Sequence, residues 1–158
     1  MNGKLSTAAR VPGRPQSGII RFRVGSYTLG IAAGSLQEIC RDHDLTRGER
    51  ERLAILSGHE IFGVVAGTEL HLLILNPGSA AFRVDRVERM VVTGSIHALP
   101  KAFQGDERIW FQGLAIIDGV ILPIVNPATI EREAHARAQK NLDAAAARQE
   151  ARQERVST

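Results

Sequence analysis

His43, His59, His71, His97, His135 and the single cysteine, Cys40, are the side chains whose types offer metal, acid–base or nucleophilic chemistry. Their spacing does not organise it. No two of the histidines stand four residues apart, as a helix-borne zinc pair requires. Asp42-His43-Asp44 sets three donor side chains in a row, but three polar residues just ahead of Thr46 and Glu49 read as a turn. There is no Gly-x-Ser-x-Gly elbow to expose a serine. Neither Gly-x-Gly-x-x-Gly nor Gly-Lys-Ser occurs to cradle a phosphate. Cys40 follows Leu36 and Ile39 and reads as an inert core thiol. The expectation is a protein with no catalytic residues, no metal, no cofactor and no small-molecule substrate.

The 158 residues, 44% hydrophobic and 23% charged, suit one ordinary domain or two very small ones. That balance excludes a disordered chain, a collagen-like repeat and a disulfide scaffold. No run approaches the roughly 18 apolar residues of a membrane span, so direct insertion is not expected. Residues 1–17 combine Lys4, Arg10 and Arg14 with Pro12 and Pro15 and have no apolar stretch, unlike a secretory signal. The plain expectation is a cytoplasmic protein. Net charge is +3, and no acidic residue precedes Glu38, whereas Lys4, Arg10, Arg14, Arg21 and Arg23 all do. With Tyr27 the one aromatic tyrosine near them, these charges make a weak nucleic-acid footprint, and a solvated arm is the simpler reading.

Three zones follow from composition: a flexible basic leader over 1–17, a strand-rich domain over 18–130, and an Ala/Arg/Gln/Glu-rich helical tail over 131–158. In the middle zone Ile20, Phe22 and Val24 alternate with Arg21 and Arg23, the period of a strand with one wet face. Gly25-Ser26 then reads as a type II′ hairpin turn before Tyr27, Leu29 and Ile31 resume the alternation. Thr46 and Glu49 match a capping box, which predicts a short helix through Arg52. Leu53–Val65, apolar around Ser57-Gly58-His59, reads as another hairpin, with a helix ending at Gly58 as the alternative.

Leu70–Leu75 runs into Asn76-Pro77-Gly78-Ser79, a type II turn by composition. Phe82 and Val84 then face inward, with Arg83 and Asp85 outward, until the spacing of Val87, Met90 and Val91 implies a bulge or helical turn. Ile109–Ile117 and Val120–Val125 flank Asp118-Gly119, the preferred type I′ pair, and Pro123 places its strand at an edge or a bulge. Phe22, Phe82 and Phe111 sit at positions that suit a core better than a base-stacking platform. The tail has the stripe Ile130, Ala134, Ala138 and Leu142, a poor coiled-coil seam, and reads as a solvated or frayed helix.

Two blocks resemble the CheW-type adaptors of bacterial chemotaxis. The first runs from Ile20 to Ile31 and on to Leu36-Gln37-Glu38-Ile39, like the family's opening hairpin and its Val-x-Glu-Ile signature. The second comprises Ala81-Phe82-Arg83-Val84-Asp85-Arg86-Val87, Trp110-Phe111-Gln112-Gly113-Leu114-Ala115 and Asp118 through Asn126, with Pro100 between them. It is similar to the family's Val-Asp-x-Val strand and closing aromatic-x-x-Gly-x-Ala hairpin. The resemblance spans residues 18–130. It implies an all-β fold of two small five-stranded SH3-like β-barrels packed together, followed here by the helical tail.

The resemblance also implies a non-enzymatic adaptor, joining a chemoreceptor's cytoplasmic tip to a histidine kinase regulatory domain at membrane-associated arrays. Partner contacts would fall on Glu38, Ile39, Ser57, Gly58, Asp85, Val87 and Gly113. Five of them have a structural alternative: turns or close strand approach for Gly58 and Gly113, the core for Val87, a local cap or pair for Asp85, and a surface ion pair for Glu38. The sequence departs from the family pattern at Ser57, where an arginine is usual, and at Ala66-Gly67, where an acidic pair is usual; the segment linking the barrels is also shorter. The alternatives are a diverged module of another two-component pathway, a nucleic-acid-binding β-barrel using the basic arm, and a metal-dependent enzyme around His43.

Overall fold

The computed structural model describes residues 17–65, 67–93, 96–103, 105 and 107–157; the leader over 1–16 and Ala66 lie outside the described residues. Strands β1 (Ser17–Val24) and β2 (Tyr27–Ala32) pair antiparallel about Gly25-Ser26, where Gly25 takes φ 60° as a type II′ turn requires. The chain then crosses into β3 (Leu36–Arg41), and α1 (Arg47–Arg52) starts on the reciprocal Thr46–Glu49 capping box.

No hairpin forms over Leu53–Val65. Strand β4 (Ala54–Ser57) instead leads directly into α2 (Gly58–Phe62). Local capping decides the matter: the Ser57 hydroxyl accepts the Glu60 N–H, and Gly63 ends the helix in the left-handed region at φ 66°. β4 finds its partner in β6, running parallel to it.

β5 (His71–Leu75) and β6 (Ala80–Val84) form the next hairpin. Its turn differs from the expected type II form. The Asn76–Pro77 peptide is cis, and the Gly78 N–H closes on the Leu75 carbonyl, so proline occupies the third place of the turn. At Asp85 the chain crosses back to the first sheet, where β7 (Arg86–Thr93) pairs with β1. Ile20 faces Met90 and Phe22 faces Val87, so β7 carries one extra residue, the interruption that its spacing implied.

Ile109 and Trp110 belong to α3 (Glu107–Trp110), and β8 therefore begins two residues later than expected, at Phe111 (Phe111–Ile117). It returns as β9 (Val120–Val125) through Asp118 and Gly119, both at positive φ, 52° and 78°, as type I′ demands. Pro123 does not lie on an edge strand. Leu114, opposite it, directs both backbone groups to His97, so the Leu114–Pro123 pair is a non-hydrogen-bonded one and asks proline for no donor. The β8 irregularity sits nearby, between Phe111 and Gly113.

Two sheets result, β7-β1-β2-β9-β8 and β3-β5-β6-β4, followed by the long helix α4 (Pro127–Ser157). The His97–Leu114 bridge brings the chain after β7 against β8, curling the first sheet over Ile19, Ala115, Leu122 and Ile124. The second sheet has four described strands rather than five. The free side of β4 is covered by α4, whose buried Ile130 and Ala134 join Ala54 and Leu56 in one cluster. The tail is thus not wholly solvated: its first turns dock, with Ala138 partly buried, while Leu142 is exposed. The same cluster takes Phe22, Leu29 and Ile31 from one sheet and Leu73, Phe82 and Val84 from the other. The sheets share a core.

Candidate partner-binding site

The crossing between the sheets is polar. Asp85, with its side chain 16% exposed, accepts the Gly25 N–H at 2.7 Å and pairs closely with the His59 ring. Glu69 lies beside it: the Ser57 hydroxyl is 2.7 and 2.9 Å from its two carboxylate oxygens, and the His59 N–H donates to it at 2.8 Å. A carboxylate at the start of α2 satisfies an amide that the helix leaves unpaired. The His71 ring reaches the Asp85 carbonyl at 3.4 Å. Two carboxylates therefore tie the β1–β2 turn, the β4–α2 junction and the β6–β7 crossing together.

Chemically this is a joint. A serine, a histidine and an aspartate converge, but the Ser57 hydroxyl is directed to Glu69 and the His59 ring to Asp85. The serine–base hydrogen bond of a nucleophilic site is not made. Above the joint lies an open concavity lined by Gly25, Tyr27, Val64, Val65, Gly67 and Asp85, with Val65 fully exposed and Tyr27 half-exposed.

Of the residues singled out from sequence, Ser57, Gly58 and Asp85 meet here. Gly58 is buried against β6, where an added Cβ would lie 2.8 Å from the Arg83 carbonyl oxygen. Val87 follows on β7, opposite Phe22, and packs against the shared core. Asp85 is not an outward residue, because the chain turns inward at the crossing. Gly113 is remote, on β8, where an added Cβ would strike the His97 carbonyl. Both glycines answer to close backbone approach.

Glu38 and Ile39 form a separate place. They lie exposed on β3, across β5 and β6 from β4, about 14 Å away at the usual strand spacing. Ile39 is exposed on β3, an edge strand with a register shift between Leu36 and Glu38. Ile20, Ala33, Leu36 and Gln37 complete a shallow, mainly apolar depression around these two residues. Cys40 is half-buried rather than in the core. Burial, followed by the negative charges of Glu38 and Asp44, raises its thiol pKa and keeps it protonated.

Just beyond β3, Asp42 accepts from Arg50 of α1 at 3.1 Å and from Arg83 of β6 at 3.2 Å, so its carboxylate is engaged by two guanidinium groups. Burial pushes the Asp42 carboxyl up, but the Arg50 hydrogen bond and the charges of Arg83 and Arg50 outweigh it and hold it below the ordinary range. A depressed folded value means stability that is present above the unfolded carboxylate pKa and lost as pH falls through the folded one. Asp42→Asn is expected to cost about 1 kcal/mol near neutrality, given the partial exposure of the pair. Denaturant titrations should show that deficit closing as pH falls below the ordinary carboxylate range; a deficit unchanged by acid would contradict the assignment.

His59, Glu69 and the Gly25 amide were not legible as site residues. Glu69 sits in an irregular stretch, and the one sequence signal was Asp85 standing where strand alternation fails.

The fold has a solved counterpart. The structure of the scaffolding protein TtCheW from Thermoanaerobacter tengcongensis superposes with a TM-score of 0.59 over 70% of this chain and 89% of that chain, at 16% identity. At that identity the likeness is one of fold. No family model matches the chain, and no curated protein matches it in sequence. Among the described residues no helix is long and apolar enough to cross a membrane.

Proposed function

We propose that this chain is a non-enzymatic adaptor of the CheW kind, which binds the regulatory domain of a CheA-type histidine kinase and the cytoplasmic tip of a chemoreceptor. The observation that supports it is the two-sheet architecture, which is alike in fold to a scaffolding protein. Its mechanism is geometric. Two sheets fixed on one core present separated surfaces, the β3 edge around Glu38 and Ile39 and the concavity over the Asp85 joint, at a constant relative angle. A rigid pair of surfaces holds two partners in one register without chemistry.

Titration of the purified protein against a kinase regulatory domain and a receptor-tip fragment from the same genome tests the reading. Glu38→Arg is expected to weaken receptor-tip binding about tenfold and leave kinase binding unchanged. Binding to neither partner by a folded protein would overturn it. Ser57 favours one second reading. Where the family has an arginine, this side chain is engaged at the α2 cap and with Glu69, which suits a module that keeps a kinase and takes a different second partner. Kinase binding without receptor binding is its signature.

A further inference from the structure

The depression around Glu38 and Ile39 lies where the leader, residues 1–16, joins the described chain. β1 begins at Ser17, and an added Cβ on Gly18 would stand 3.6 Å from Ala33, one of the residues that line the depression. Ile20, three residues along β1 from Ser17, lines it too. The lining is apolar at Ile20, Ala33, Leu36 and Ile39, and its one charged member is Glu38. Glu38 is exposed and has no ion pair among the described residues. Arg52 shares a second hollow with it across β3 and acts there on Glu49. The surroundings are negative: after burial, the carboxylates of Glu38, Asp44, Glu49 and Asp42 all act on the Cys40 thiol of the same strand.

We infer that the leader folds back over this depression, with Arg14 and Arg10 meeting Glu38, and covers it within the same chain. The leader is complementary in charge, since it carries Lys4, Arg10 and Arg14 and no acidic residue, with Val11 and Leu5 to meet apolar surface. It is also in reach. Arg14 stands three residues ahead of Ser17, about 10 Å of extended backbone, the same chain distance that separates Ser17 from Ile20. An exposed ion pair contributes about 1 kcal/mol or less, so the contact is weak by itself. The tether compensates: a segment joined by so few residues is present at an effective concentration in the millimolar range, an advantage that a second copy lacks. Pro12 and Pro15 reduce the backbone freedom that docking removes. On the adaptor reading, on which this consequence rests, the docked leader competes with the receptor tip for the β3 edge and sets the fraction of protein free to bind it.

Paramagnetic broadening in the full chain tests this, with a nitroxide on Thr7→Cys in a Cys40→Ala background and thermal melts as a check on folding. The amide signals of Gln37, Glu38 and Ile39 are expected to be lost, while those of Met90 and Val91, on the other side of β1, are kept. Arg10→Glu with Arg14→Glu should abolish that one-sided loss, as should Glu38→Arg alone, and the three substitutions together should recover it. Equal broadening on both sides of β1, or none, overturns the inference. So does one-sided loss that survives either reversal, a triple variant that fails to recover it, or the same loss when the nitroxide is carried by a separate, unenriched copy. For the competition, Arg10→Glu with Arg14→Glu is expected to tighten receptor-tip binding about threefold; unchanged affinity would overturn the competition alone. A folded chain that binds no receptor tip in either form overturns receptor coupling and the competition with it, and the spectra still decide where the leader lies.

Discussion

Asp85→Ala is expected to destabilise the protein by about 3 kcal/mol, lowering Tm by about 6–12 °C in a chain of this size. The carboxylate serves the Gly25 amide and the His59 ring at once, from a position where the side chains of both His59 and Asp85 are 16% exposed. Alanine leaves both groups half-buried without their acceptor, and an orphaned donor costs more than a surface bond returns. Asp85→Asn keeps an oxygen for Gly25 and should lose less than half as much. Thermal or denaturant unfolding decides it. An alanine variant within 1 kcal/mol of wild type, on the scale set by ordinary surface substitutions, would mean that the joint does not hold the crossing.

The larger loss belongs to Phe82→Ala, expected at about 4 kcal/mol. Phe82 is fully buried on β6, packs edge-on against Phe22 of β1 with centroids 6.0 Å apart, and meets Phe62 of α2 at 6.5 Å. Truncation therefore opens a cavity at the contact between the sheets, on the side of both. Because the core is shared, the variant should still unfold in one transition, with Trp110 fluorescence and far-ultraviolet circular dichroism shifting together. Two transitions, only one of them displaced, would show that the sheets are separate folding units.

Much of the fold was legible because its signals are local. Gly25-Ser26, Asp118-Gly119 and the Thr46–Glu49 box each state a backbone geometry within four residues, and each forms as read. The errors arise where a distant partner or a competing cap decides. Ser57 and Gly63 turn an apolar stretch into β4 and α2, and β4 pairs in parallel with a strand more than twenty residues away, which no adjacent pattern announces. The docking of Ile130 and Ala134 is likewise set by the uncovered edge of β4, so a stripe too thin for a coiled coil is still enough to close a sheet. The site was half legible for the same reason. Glu38 and Ser57 stand in strands and Asp85 just past the end of one, whereas Glu69 and His59 matter only because α2 folds back toward the β6–β7 crossing.

A bridging experiment bears most directly on the adaptor reading. A receptor-tip fragment assembled on beads would be incubated with a kinase regulatory domain, with and without this protein, and the kinase domain retained would be measured. Retention that requires the protein, rises with its concentration and falls with Glu38→Arg is the predicted result. Equal retention with and without a folded protein would contradict the adaptor role.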